Sequence, residues 1–249
     1  MPGKTDTNST PAGTSRFATT HWSVVLAAGS PESSRYREAL ETLCQIYWIP
    51  LYAYLRRRGY NRHQAEDHTQ SFFANLLEKQ SLQKADPKRG KFRFFLLTCL
   101  KNFVADEWGR TQAQKRTGDR KTLSLDIDDA ESRYSLEPTD ELSPERLFER
   151  FWAMTLLTRA MNRLRDEFIT ANKQQLFDHL KAHITAEHDS VPYSTVAVKL
   201  NMNEVAVRVA VHRIRLRYRE LVREEIAHTV AGEEQVDEEI HDLFTALSS

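Results

Sequence analysis

Cysteine, glycine and proline are scarce in this chain, at 2, 8 and 8 of 249 residues. Cys44 and Cys99 each stand among apolar neighbours in helix-like segments, so they read as core thiols and argue against a disulfide or a redox switch. The few glycines form no Gly-rich phosphate loop. Neither a Ser/His/Asp arrangement nor a pair of catalytic carboxylates stands out, so neither catalysis nor a cofactor is expected. No run approaches the roughly 18 consecutive apolar residues of a membrane span, and the N-terminus lacks the charged-then-apolar pattern of a signal peptide. The expectation is a cytoplasmic protein with no membrane contact. Convincing strands and internal repeats are missing as well, which leaves an all-α fold.

A net charge is lacking too, but the balance of 35 basic and 35 acidic residues hides a strong sorting along the chain. Ala53 to Lys121 holds sixteen Lys and Arg against seven Asp and Glu, and Tyr193 to Arg223 holds seven against two. Thr122 to Arg150 reverses this with three basic and nine acidic residues, and Glu224 to Ser249 has eight acidic residues and no Lys or Arg. Two basic islands separated and followed by acidic stretches predict two modules that meet nucleic acid at separate places.

Breakers and apolar spacing divide the chain accordingly. Residues 1–18, rich in Thr, Ser, Pro and Gly, read as disordered. Residues 19–115 read as a helical domain with helices near Trp22 to Ala28, Tyr36 to Arg58, Arg62 to Lys79 and Lys91 to Arg110; Gly59 and the turn Pro87 to Gly90 interrupt them. Residues 116–144 lose periodicity and read as an acidic linker. Residues 145–228 read as a second helical domain, and 229–249 as an acidic amphipathic tail.

The second domain carries the sharper signal. In Tyr193 to Arg223 the apolar residues Val196, Ala197, Leu200, Met202, Val207, Val211, Ile214, Tyr218 and Leu221 recur at three-four spacing, with a break at Asn201 to Asn203. This predicts a helix-turn-helix whose second helix is capped by Asn203, with Glu204 at the positive end of its dipole. Arg208, His212, Arg215 and Arg219 then fall on an exposed line, with Arg213 and Arg217 beside it. Such a helix suits the major groove. Arg208, His212 and the intervening Val209 are placed against the bases, Arg213 and Arg217 against phosphates, and Arg215 on the same DNA-facing line.

In the first domain most aromatic residues are expected inside. Phe92, directly after the turn, and Trp108, beside Arg110, are the candidates for stacking on an unpaired base. Asn102, Asp106 and Arg110 share one helix face at four-residue intervals. A metal reading would rest on His179, His183, Glu187 and His188, but no second ligand cluster completes a site, so no metal is expected.

Two motifs then converge on a family. Ala65-Glu66-Asp67-His68-Thr69-Gln70-Ser71-Phe72-Phe73 resembles the core-binding helix of bacterial sigma factors, and Asn102-x-x-x-Asp106-x-x-x-Arg110 resembles the promoter-melting helix that follows it. With the helix-turn-helix behind them, the order is similar to that of an RNA polymerase sigma factor of the extracytoplasmic-function (ECF) type. The resemblance covers roughly Thr20 to Lys115 and Glu145 to Val230. It implies a transcription initiation factor without enzymatic activity, in which Asp67, Gln70 and Phe73 dock on core RNA polymerase. The loop Gln80 to Lys91 and the helix through Arg110 would hold the melted non-template strand of the minus-10 element. Phosphates would be met by Lys84, Lys88, Arg89 and Lys91, and a flipped base would enter a pocket near the loop. The C-terminal domain would bind duplex DNA at the minus-35 element. Asn201 stands where many members have glycine in the turn, and Val209 and Ala210 where polar residues are common.

The alternative is a helix-turn-helix transcriptional regulator that does not contact polymerase. The tail and long linker leave room for regulation, by an anti-sigma or other regulatory protein or by the tail itself. Val236, Ile240, Leu243, Phe244 and Leu247 form the expected apolar stripe of the tail. Its carboxylates would compete with DNA for the recognition helix, so that deleting Ala231 to Ser249 raises DNA affinity; otherwise the tail packs on its own domain.

Overall fold

Three-four apolar spacing translates into ten α-helices along the described part of the chain. The computed structural model describes residues 25, 28–30, 34–78, 81–86, 89–111, 127–136, 142–185, 191–227, 230 and 232–248. Side chains at 108–111, 127–128 and 233 are outside that description. The helices are α1 (Tyr36–Arg57), α2 (Arg62–Glu78), α3 (Phe92–Thr111), α4 (Ile127–Leu136), α5 (Pro144–Thr170), α6 (Gln174–Leu180), α7 (Ala182–Thr185), α8 (Tyr193–Leu200), α9 (Glu204–Ala227) and α10 (Val236–Ser248). No strand occurs among the described residues, and the fold is all-α. The expected disordered segment 1–18 and the Trp22 end of the first expected helix lie outside the described residues.

Local chemistry explains where these helices begin and end. α2 opens on a reciprocal cap: the Gln64 amide donates to Asn61 Oδ1 at 2.9 Å, and the Asn61 amide donates to Gln64 Oε1 at 3.0 Å. Ser143 caps α5 by accepting from the Arg146 amide, with Pro144 at the first helical position, where its missing N–H costs nothing. The turn after α1 needs a left-handed residue, and Gly59 supplies it at φ 93°.

Two apolar cores share one spine. In the first, Ile46, Leu51 and Leu55 of α1 meet Phe72 and Phe73 of α2 and Leu96 and Leu100 of α3. Leu147, Phe148, Phe151 and Trp152 from the first half of α5 close it, together with Val236 and Leu243 of α10. In the second, Ala160 and Leu164 from the second half of α5 meet Phe177, Leu180, Val196, Val207, Val211, Ile214 and Leu221. The expected boundary before residue 145 therefore does not coincide with a boundary in packing, because α5 buries its first turns against α1 and its last turns against α9.

The expected linker also departs from its reading, since it contains a docked helix. Glu131 of α4 accepts from the Tyr52 hydroxyl and from Arg56 at 3.1 Å (Nε) and 2.8 Å (Nη2), while the Arg56 guanidinium lies 5.0 Å from the Tyr134 ring centre. Burial raises the carboxyl pKa, but the hydrogen bonds from Tyr52 and Arg56 outweigh it and hold Glu131 below its ordinary value. Among its described side chains, buried Ala130, partly buried Tyr134 and the anchored charge of Glu131 hold this polar helix in place.

Candidate nucleic-acid interface

In the N-terminal half the candidate residues meet in a cleft between α2 and α3. The cleft has a volume of about 270 Å³ and is lined by Phe72, Asn75, Ser81, Lys84, Phe95, Cys99, Asn102 and Asp106, among others. Asn102 and Asp106 are both exposed and look into it from one face of α3, as their four-residue spacing predicts. Lys84 is exposed at its rim, in the short 3₁₀ turn Ser81–Lys84. Burial raises the Cys99 thiol pKa against the opposing charge of Lys84, so the thiol is protonated and adds a polarisable wall rather than a nucleophile. The wall therefore has aromatic rings at its base and hydrogen-bonding groups at its rim, a chemistry suited to a planar heterocycle. The side chains of Trp108 and Arg110 and the whole of Lys88 lie outside the described residues.

Two expectations here fail on burial. Phe92 is not an exposed stacking ring: it is 3% exposed, edge-on to Tyr47 at 5.4 Å between ring centres and 6.0 Å from Phe95. The turn before it does not expose it, because α1 supplies an aromatic partner. Phe94, two residues on, is the exposed ring of that turn at 44%. Phe73 likewise belongs to the core at 2% exposure, so its ring does not face a partner. Asp67 is exposed on α2, and half-buried Gln70 donates to Glu66 at 3.4 Å; these two remain on the outer face.

The basic residues around the turn divide in two. Arg89 is exposed and 3.7 Å from Asp86. Lys91 and Arg93 instead turn towards α10, where Lys91 lies 2.7 Å from Glu239, and Arg93 bonds Asp242 at 2.8 Å and also Glu239. Nothing near Arg93 in the chain announces a buried arginine. Its guanidinium is 3% exposed and stacks 4.2 Å from the Trp152 ring centre.

The C-terminal candidates sit on α8, the turn 201–203 and α9. Asn201 takes the left-handed conformation at φ 50°, ψ 44°, which explains how asparagine serves where glycine is common. Asn203 Oδ1 accepts from the Ala206 amide at 2.7 Å, the cap expected of it. Val205, Arg208, Val209, His212 and Arg213 are exposed along the first half of α9, and Arg208 pairs with Glu204 at 2.7 Å.

Arg215 and Arg217 depart from their expected roles. Arg215 is half-buried and donates to the His183 carbonyl at 2.7 Å, so it ties α9 to α7 and leaves the exposed line. Arg217 donates to Glu167 at 2.9 and 2.6 Å and to Glu220 at 2.9 Å, so its guanidinium joins α9 to α5. His183 is fully buried beside Tyr193, and neither ring nitrogen has a hydrogen-bond partner among the described residues. Glu187 and His188 lie outside the described residues.

The first of these surfaces has a counterpart among known families: residues 46–114 match the family model of sigma-70 region 2. The matched stretch runs from the middle of α1 through α3 and contains the whole cleft. The match makes this stretch similar to region 2 of sigma-70 factors and supports a role in transcription initiation. No curated protein and no solved structure matches the chain. No described helix is long and apolar enough to cross a membrane.

Proposed function

We propose that the chain is an ECF-type initiation factor that works in the cytoplasm, docks on core RNA polymerase and reads promoters at two elements. The observation that carries this reading is the α2–α3 cleft within the matched segment, with Lys84 at its rim and Asn102 and Asp106 on one wall. A base flipped out of the minus-10 element enters the cleft, its ring against Phe95 and its polar edge towards Asn102 and Asp106; stacking and hydrogen bonds offset a flipping cost of a few kcal/mol. Arg89 and, once it leaves the tail, Lys91 meet phosphates of the same strand. Asp67 and Gln70 on the outer face of α2 contact the polymerase.

At the minus-35 element α9 enters the major groove by its first half. Arg208 and His212 reach base edges with Val209 between them, and Arg213 meets phosphate. Arg217 can join it only by exchanging Glu167 for DNA. Run-off transcription with purified core polymerase on genomic DNA tests the reading. Promoter-specific transcripts are expected, and binding of duplex DNA without any association with core would instead favour a regulator that does not touch polymerase.

A further inference from the structure

The acidic tail lies chiefly against the first basic island and meets the second only at Arg223, away from the first half of α9 that it is expected to mask. α10 buries Val236, Glu239, Leu243 and Ala246, and Phe244, expected in its apolar stripe, is exposed. Glu239 is fully buried against Arg93 and Lys91; Asp242 is shared by the same two cations, and Glu238 stands 3.5 Å from Lys91. These are the residues at the head of α3, next to the turn at Gly90 and within the segment that matches sigma-70 region 2. Two further contacts fasten the helix to the rest of the chain. Arg223 of α9 pairs with Asp237 at 2.6 Å, and Arg150 of α5 donates to the Leu247 carbonyl at 2.8 Å.

We propose that α10 is an internal clamp that occupies the basic head of α3 in place of promoter DNA and joins it to α5 and α9 until DNA displaces it. The clamp rests on the reading of Lys91 as a DNA contact. Its chemistry suits exchange. Three carboxylates of α10 present to Lys91 and Arg93 the kind of charge that successive phosphates present, so a polyanion can take over Lys91 without leaving it unpaired. Arg93 is stacked on Trp152 and deep in the seat, and it registers the change: when Glu239 withdraws, its buried cation loses its partner, which makes release of the helix an all-or-none step rather than a gradual loosening. Because α10 also touches α5 and α9, release at α3 loosens the contacts that hold it to those two helices in the first core.

The test uses the full chain and a single-stranded DNA oligonucleotide as probe. Glu239→Gln combined with Asp242→Asn should raise affinity for the oligonucleotide roughly tenfold at low salt, with the gain shrinking as salt screens the displaced charges. Equal affinity of the variant and the natural protein at every salt concentration would overturn the clamp while leaving DNA binding intact. Absence of binding by both would overturn the reading of Lys91 and the clamp with it. Because the double variant strips a buried arginine of its partners and can unfold, hydrogen exchange on the natural protein supplies a second readout. Amides of 236–248 should lose protection on binding the oligonucleotide, and unchanged protection in the complex overturns the proposal.

Discussion

Arg217 and Glu167 form a two-pronged ion pair, Nη2 to Oε1 at 2.6 Å and Nε to Oε2 at 2.9 Å, that fastens the arginine-rich helix α9 to α5. The guanidinium pKa is raised, first by its hydrogen bond to Glu167, and the Glu167 carboxyl is held low by the same bond. Arg208, one half of the helix earlier, has a simpler exposed pair with Glu204 and the ring of Tyr193 at 5.8 Å.

These two arginines should therefore fail differently when removed. Arg208→Ala should leave the melting temperature nearly unchanged, since exposed pairs contribute about 0 to 1 kcal/mol, and should weaken and blur duplex recognition by about 1 to 3 kcal/mol. Arg217→Ala should lower the melting temperature, with a smaller loss of sequence preference. Binding to a panel of duplexes and thermal unfolding check this; a loss of preference in the Arg217 variant equal to that of Arg208 contradicts the assignment.

On α2, burial separates Gln70, proposed to dock, from Phe73, which belongs to the core. Gln70→Ala should change stability by no more than about 0.5 kcal/mol and reduce co-purification with core polymerase. Phe73→Ala should cost about 3 to 5 kcal/mol through the cavity it leaves against Phe72 and Leu76, and should lose polymerase only as the fold is lost. Denaturant titration alongside a core pull-down distinguishes them, and normal core binding by the Gln70 variant would remove this face of α2 from the dock.

Much of this was legible because local rules decide helices. The expected bounds of the first three long helices fall within one or two residues of those observed, since Gly59, the turn at Gly90 and the Asn61 cap are all short-range signals. The break at 201–203 between α8 and α9 and the Asn203 cap were legible for the same reason. What escaped the sequence depends on partners far away in the chain. α4 reads as linker in the sequence because its decisive contacts come from Tyr52 and Arg56, 79 and 75 positions distant from Glu131. Phe92 reads as exposed because its partner is Tyr47, and Arg93 carries no local signal because its counter-ions lie 146 and 149 positions later in α10. Periodicity reports which face is buried, but not against what.

The docking of α4 offers a clean measurement. Glu131→Gln keeps the shape of the side chain but removes the charge that Arg56 binds, so it should cost about 1 to 3 kcal/mol. Most of this cost should fall on α4 itself. Hydrogen exchange should show faster exchange across 127–136 with little change in 36–57. Because the Glu131 pKa is depressed in the folded protein, its contribution is fully present above the ordinary carboxyl value of 4.5 and is lost as pH falls through the lower folded value. Uniform loss of protection in both helices would mean that Glu131 holds the whole domain and not this helix alone.

His183 should make the second core sensitive to mild acid. Burial, aided by the positive charge of Arg215, pulls its pKa below the ordinary 6.5, and both ring nitrogens are without a partner among the described residues. The folded protein thus keeps the ring neutral, while the unfolded chain takes up a proton near pH 6.5. Stability is fully present above that value and declines as pH falls towards the lower folded pKa. His68 contributes to the same window, since burial depresses it against the opposing charges of Glu107 and Asp67. Denaturant midpoints of the natural protein should therefore fall between pH 7 and 5.5. In His183→Phe, which keeps a ring beside Tyr193, the slope should become shallower, and a further change of His68 to Phe should flatten it more. An undiminished slope in the single variant would show that His183 takes up its proton as readily folded as unfolded, and that the space between α7, α8 and α9 admits water or a counter-charge to its ring.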